Sequence, residues 1–346
     1  MGRLCVIDVS AVVHTGVFSP RYAQMSAFGY PTAGINFFMQ QLMVPLYEMD
    51  DVILCFDSPN FRRKKDPTYK SGRSHSAIAL SNIEVLYEYL SQCGIGCYKV
   101  DGYEADDIIE WVVEKYWREY SDVIIVGNDK DLAHSMRHNT MFRSCRSDMN
   151  MLQRTSFPNA VIKDVYLPFN MTSIYKSLCG CPSDSVPAFC TEDGRKGKEL
   201  YADAVKFYED HQIVNNYYQT TSREVFRVWA KFEGFSENDL IRLDDRMDII
   251  FPAPCPFDDG GDFKPANRFT IDVGRLSKVL TMFNVYEALK GDFVYRVQLT
   301  EDDKKEVYKL ANDFKSGAFN ADKSIPMKTE RVSSTPMRID AFEKDF

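Results

Sequence analysis

The sequence predicts an α/β fold in which a central parallel sheet is flanked by helices, followed by a mostly helical C-terminal region. Short runs rich in apolar and β-branched residues recur at Leu4–Ile7, Val52–Phe56 and Val123–Val126, the length and composition of buried strands. The segments between them are long enough for the crossover helices that parallel strands require. Beyond about residue 200 the apolar spacing becomes helical up to about residue 310, interrupted by a Pro-, Gly- and Asp-rich loop near 252–266.

The bulk properties agree with a globular chain. Its 346 residues and 45% hydrophobic content suffice for one large domain or two smaller ones. Nine cysteines lie scattered, without the dense, even spacing of a secreted disulfide scaffold, and predict a reducing environment. No apolar run approaches the roughly 18 residues that span a bilayer, and Met1 to Ile7 lack the features of a signal peptide, so the expected setting is cytoplasmic with no membrane partner. A formal net charge of −8 argues against a protein that coats nucleic acid generically, because phosphate affinity comes from clustered Lys and Arg.

Each strand run is followed by acid: Asp8 after the first, Asp57 after the second, and Asp129 with Asp131 after the third. Ligands of open α/β sheets bind beyond the carboxyl ends of the strands. The segment Gly102-Tyr-Glu-Ala-Asp-Asp107 leads into the helical spacing of Ile108, Ile109, Val112 and Val113, which places Glu104, Asp106 and Asp107 in a first helical turn. Acids are favoured there by the helix dipole alone. Seven carboxylates converging on one sheet edge are another matter, since two unit charges 4 Å apart repel by about 4 kcal/mol at an effective dielectric of 20. Oxygen ligands without histidine suit Mg²⁺ or Mn²⁺. A pair of such ions suits in-line displacement at a phosphodiester.

Between the second strand and the acidic turn runs Phe61-Arg-Arg-Lys-Lys-Asp-Pro-Thr-Tyr-Lys-Ser-Gly-Arg73. Its cations Arg62, Arg63, Lys64, Lys65, Lys70 and Arg73 can meet phosphates, and Tyr69 can stack on an unpaired base. Ile83, Leu86, Tyr87 and Leu90 then keep helical spacing up to a stop at Cys93-Gly94. Residues of about 61–98 are accordingly expected to form a helical cover above the acids.

In Asp57 followed by Phe61-Arg62, Tyr69-Lys70 and Arg73, in Gly102-Tyr-Glu-Ala-Asp-Asp107, and in Asp129-Lys-Asp131-Leu132, the chain resembles the flap endonuclease and 5′–3′ exonuclease family, including its phage ribonuclease H-like branch. The resemblance runs from about residue 1 to 190. It implies a 5′-nuclease-like (PIN-like) sheet with a helical arch over the metals, and hydrolysis at or near a 5′ end or flap of DNA or an RNA–DNA hybrid in replication or repair. By its motifs, Asp8, Asp57, Glu104, Asp106, Asp107, Asp129 and Asp131 match metal-site acids. Lys70 and Arg73 match catalytic arch residues, and Tyr69 matches an aromatic that stacks on a base.

The domain layout that follows is a metal-dependent core at 1–177 with its arch at about 61–98, a mostly helical region at 178–314, and a flexible tail at 315–346. In Leu178-Cys-Gly-Cys-Pro-Ser-Asp-Ser-Val-Pro187, Asp184 keeps one family metal ligand while Cys181 stands where another aspartate is expected, which puts the second of two ions in question. Gly194-Arg-Lys-Gly197-Lys198 is the counterpart of a helix–hairpin–helix, so Arg195, Lys196 and Lys198 are expected to contact nucleic acid, with backbone amides cradling a phosphate. The tail's apolar positions, Ile339, Phe342 and Phe346, loosely resemble peptides that dock on a sliding clamp. The alternative to an active nuclease is a catalytically weakened relative that binds or recruits branched nucleic acid.

Overall fold

The structure, a computed structural model, describes residues 2–59, 61–71, 76–145, 151–153, 171–211, 223–285 and 293–317. The elements run β1 (Arg3–Asp8), α1 (Val9–Phe18), β2 (Ser26–Ala27), β3 (Tyr30–Pro31), α2 (Ala33–Tyr47), β4 (Asp51–Phe56), α3 (Phe61–Lys65), α4 (Ala77–Gln92) and β5 (Gly96–Lys99). They continue with α5 (Ala105–Tyr116), β6 (Asp122–Gly127), β7 (Thr140–Ser144), β8 (Met151–Gln153), α6 (Thr172–Cys179), α7 (Gly197–Asp210), α8 (Arg223–Phe232), α9 (Glu237–Ile250), α10 (Val273–Met282) and α11 (Glu301–Lys315).

Six strands form the main sheet in the order β5-β4-β1-β6-β7-β8. Five of them pair in parallel and only β8, on the edge, runs antiparallel to its neighbour. The three strands read from sequence are its centre. β5 and β7 escaped that reading because neither is a plain apolar run: β5 is Gly-Cys-Tyr-Lys and β7 carries Arg143.

Alternation along the strands sorts the core into two layers. Leu4, Val6, Ile53, Cys55, Val123 and Ile125 face α5 and the helices α6 to α9, whereas Cys5, Ile7, Val52, Leu54, Phe56, Ile124 and Val126 face α1, α2, α4, α10 and α11. Both layers therefore draw on residues far beyond position 177. Leu178, Phe189, Leu200, Trp229 and Phe251 belong to the first, and Leu276, Leu280, Phe283 and Val307 to the second. The loop after α9 is also stitched to the sheet, with the Val52 amide donating to the Ala266 carbonyl at 2.7 Å and the Ala266 amide donating back at 3.1 Å. Across the boundary expected at 177/178, the described helical residues share their cores with the sheet.

The stretch 61–98, expected as a helical arch, divides into α3 and α4 in the described residues. The apolar stripe of α4 lies in the second layer, and Asn82 accepts from the amides of Gly34 and Ile35 at 3.0 and 3.2 Å, fastening α4 to the start of α2. α4 is the crossover helix between β4 and β5, so among the described residues of 61–98 it is the stretch around α3 that lies toward the sheet edge. The tail expected at 315–346 falls outside the described residues from position 318 onward.

Candidate metal-binding active site

The carboxyl ends of β1, β4 and β6 lie side by side, and each delivers its acid there. Asp8 closes β1 and caps α1, accepting from the Ala11 amide at 2.9 Å. Asp57 follows β4 and accepts from the Ala105 amide at 2.8 Å, which ties it to the start of α5 and so to Asp106 one residue on. Asp129, two residues past β6, caps the short 3₁₀ turn 130–135 by accepting from the Asp131 amide at 3.0 Å. Gly127 lets these ends close up, because a Cβ there would press on Leu132 and touch Asp8.

The four carboxylates feel one another. Burial, then Asp57, then Asp129 push the Asp8 carboxyl up to about 8. Burial, Asp129 and Asp8 hold Asp106 well above the usual carboxylate range. Burial and like charges together raise a carboxylate's pKa in this way, here against the opposing field of Lys70. The all-oxygen donor set of Asp8, Asp57, Asp106 and Asp129 fits one hard divalent ion. Among the described residues, no three His, Cys, Asp or Glu side chains already form a metal-ligand group.

Two acids expected in the metal shell are engaged elsewhere. Asp107 is fully buried, and all its acceptor capacity is taken: Oδ1 accepts from Arg62 Nη2 and the Ala253 amide, both at 2.7 Å, and Oδ2 from Arg62 Nη1 at 2.8 Å and the Glu104 amide at 3.0 Å. Glu104 caps α5 and accepts from Lys70 Nζ at 2.6 Å, Tyr69 Oη at 3.0 Å and Arg62 Nη1 at 3.1 Å. Its place is beside Asp106, holding the basic segment down at the edge of the acidic cluster.

That segment is thereby corrected too. Arg62 is buried and also donates to the carbonyls of Ile249 and Phe251, so it is a structural clamp and is not displayed to a phosphate. Tyr69 is buried against Cys181 and Val186, where it cannot stack on an incoming base without first moving. Lys65 pairs with Asp245 and Asp248, while Lys64 is exposed and Arg63 half-buried. Lys70 adopts a positive φ of 52°, donates its amide to the Asp184 carbonyl, and carries an ammonium whose field reaches Asp8 and Asp106. Arg73 lies outside the described residues.

A second acidic pair stands on the other side of Asp129. Asp131 and Asp184 both meet the ammonium of Lys176, a buried lysine on α6 that the sequence analysis did not single out; the Asp184 contact is 3.4 Å. Its only sequence signal is a basic residue between Ile174 and Leu178 on the buried face of a short helix that also buries Thr172, Ser173 and Ser177. Cys181 places Sγ 3.0 Å from Asp184 Oδ2 and 3.1 Å from Ser183 Oγ, with burial pushing its thiol up. A protonated thiol and an ammonium on one carboxylate do not fit a second hard divalent ion.

The Gly194–Lys198 segment departs from expectation in one respect. The amides of Gly194, Arg195, Lys196 and Gly197 donate to Thr191 O, Thr191 Oγ1, Glu199 Oε2 and Phe189 O, so this turn spends its donors internally and does not cradle a phosphate. Arg195 lies over the Phe235 ring and pairs with Asp193 and Glu233; Lys196 and Lys198 are exposed.

Residues 3–163 match the family described as the 5′–3′ exonuclease N-terminal, resolvase-like domain. The chain is 24% identical over 317 residues to DNA polymerase I of Streptococcus pneumoniae, covering 87% of this chain and 35% of that one. It is 28% identical over 192 residues to a 5′–3′ exonuclease of Aquifex aeolicus, covering 54% and 64%. The chain thus spans about a third of the polymerase relatives it matches. Among solved structures it is similar to the T5 D15 protein co-crystallised with metal ions, at a TM-score of 0.47, 14% identity, and coverage of 91% and 98%. Residues 3–163, which hold the sheet and all the acids from Asp8 to Asp131, match the 5′–3′ exonuclease N-terminal, resolvase-like domain, and by that match the chain resembles the flap endonuclease and 5′–3′ exonuclease family.

Proposed function

We propose that this chain is a divalent-metal-dependent phosphodiester hydrolase that cuts DNA or an RNA–DNA hybrid at or near a 5′ end or flap, in replication or repair. The observation that carries the reading is the meeting of Asp8, Asp57, Asp106 and Asp129 at the carboxyl ends of adjacent parallel strands, within a domain of 5′–3′ exonuclease type.

Asp8, Asp57, Asp106 and Asp129 would hold Mg²⁺ or Mn²⁺, which when bound supplies Lewis acidity and a nucleophilic water. The chain's own residues do the rest. Asp57 and Asp106 are fixed to one another through the first turn of α5, so the two ligands keep their spacing without loop rearrangement. Lys70, pinned on Glu104 at the mouth of the site, is the cation placed to move onto an entering phosphate and to offset the charge that grows there in the transition state. Lys64, Lys196 and Lys198 are exposed cations that would add salt-dependent affinity along the nucleic-acid backbone. Docking of the tail on a sliding clamp belongs to the same proposal, and its residues lie outside those described. Among the described residues no helix is long and apolar enough to cross a membrane; a cytoplasmic setting is part of the same proposal.

The test is cleavage of 5′-flap, nicked and RNA-primed duplexes in Mg²⁺, Mn²⁺ or EDTA. Cleavage should require the ion and fall by orders of magnitude in Asp57→Asn and Asp129→Asn, with binding largely retained; Lys70→Ala should lower the single-turnover rate more than the affinity. Tight binding of flap substrates without cleavage in any metal would favour instead the binding-module reading that Cys181 motivates.

A further inference from the structure

We infer that the ammonium of Lys176 occupies the position of the second cation, so that this chain binds one divalent ion where its family resemblance leads one to expect two. The inference rests on the proposed nuclease reading and says which of its ions this site can take.

The geometry is a built ion pair. Lys176 sits on the last turns of α6 with its side chain 7% exposed, and its Nζ reaches Oδ2 of both Asp131 and Asp184. Those two carboxylates line the same pocket as Lys70, Glu104 and Asp106. A metal ion bound between them would have to share their Oδ2 atoms with an ammonium already in contact, and would meet it across a buried, weakly screened gap. Removing the ammonium is not easy either, because the four-carbon stem is enclosed and its head has two anionic partners to leave.

Cys181 points the same way from a different atom. Its Sγ lies on Asp184 Oδ2, the oxygen that Lys176 also approaches, and a thiol is a soft donor that gives nothing to a hard cation while protonated. The two departures compensate: a carboxylate lost at position 181 lowers the negative charge of the pocket, and a single fixed positive charge then serves where a divalent ion would need more oxygen. Asp131 links this pair to the first site. Among the described residues its Oδ1 is buried without a hydrogen-bond partner, whereas Oδ2 is on Lys176, so one oxygen faces the lysine and the other is left for an ion held by Asp129. A lysine in this position is fixed by the fold, needs no metal concentration to be present, and cannot rearrange its coordination.

The experiment is a count of bound ions. Mn²⁺ alone is titrated into the full chain and followed by electron paramagnetic resonance of the free ion and by calorimetry. The parent should bind one ion per chain in the tight phase, and Lys176→Arg should keep that count at one. Lys176→Met combined with Cys181→Asp, which removes the ammonium at similar volume and restores the carboxylate, should bind two. Circular dichroism melting of each variant shows whether it is folded, and the parent's count alone decides the question if the double variant is not. Two ions of comparable affinity on the parent, or a folded double variant that still binds one, would overturn the inference while leaving the nuclease reading standing. A parent that binds no ion would overturn both.

Discussion

Arg62 shows how a single side chain can be drawn from surface chemistry into architecture. Its guanidinium is 4% exposed and makes a two-pronged pair with Asp107 while also reaching Glu104 and the carbonyls of Ile249, at the end of α9, and Phe251, just after it. Removing one partner of a buried pair strands the other charge, at a cost of about 3–5 kcal/mol. Arg62→Met is therefore expected to lower unfolding free energy by that order in urea titrations. It should leave the salt dependence of nucleic-acid binding near that of the parent, and a large change in salt slope with unchanged stability would show Arg62 to be a phosphate contact after all. His134 offers a second residue-scale test. Burial lowers its pKa below the usual 6.5, with Glu110 opposing, and its Nδ1 lies 2.9 Å from Ser173 Oγ. The unfolded chain takes up the proton first as pH falls, so the folded state loses stability on descending through about 6.5 towards the lower folded value. Denaturation of the parent and of His134→Gln between pH 8 and 5 should show this extra loss only in the parent. Equal pH slopes would rule it out.

At the scale of elements, the site depends on how helices approach the strand ends. α5 begins where Asp57 accepts from the amide of its first residue, Ala105, and the Asp107 carboxylate reaches back to the Glu104 amide, satisfying a donor that a helix start otherwise leaves open. α6 and α7 meet so closely that a Cβ on Gly197 would collide with the carbonyl of Leu178, and the Gly197 amide donates to Phe189 O at 3.0 Å. Gly197→Ala is expected to force the start of α7 away from α6, costing about 1–3 kcal/mol. Because α6 carries Lys176, the same change should also disturb the Asp131–Lys176–Asp184 cluster. Thermal melting compared with Gly194→Ala, where nothing stands within 4 Å of the added Cβ but φ is +91°, separates close approach from backbone conformation. A Gly197→Ala protein as stable as the parent would refute the packing argument.

For the whole molecule, the decisive fact is that neither layer of the core is complete within the first 177 residues. Val279, Leu280, Phe283, Val294 and Val307 fill the face of the sheet that α1, α2 and α4 cover only in part, and Trp229, Leu243 and Phe251 fill the other. Each fully buried large apolar side chain contributes about 1.5–3 kcal/mol. A chain truncated after residue 177 is thus expected not to unfold cooperatively and to expose apolar surface to a reporter dye. Sharp, two-state melting of that fragment would restore the boundary that composition suggested.

Asp8, Asp57, Asp106 and Asp129 were legible because strand ends and a helix start have local signatures, and a parallel sheet brings the carboxyl ends of its strands together whatever the intervening chain does. The same local rules placed a helix start at Glu104 to Asp107 and the stop at Cys93-Gly94. What they could not supply was the partner of each charge. Arg62, Tyr69, Glu104 and Asp107 read as surface chemistry until contacts 35 to 189 residues apart in sequence bury them together. Lys176 gave almost no signal at all. A charge's role is set by which opposite charge shares its low-dielectric surroundings, and that pairing is a property of the packed chain.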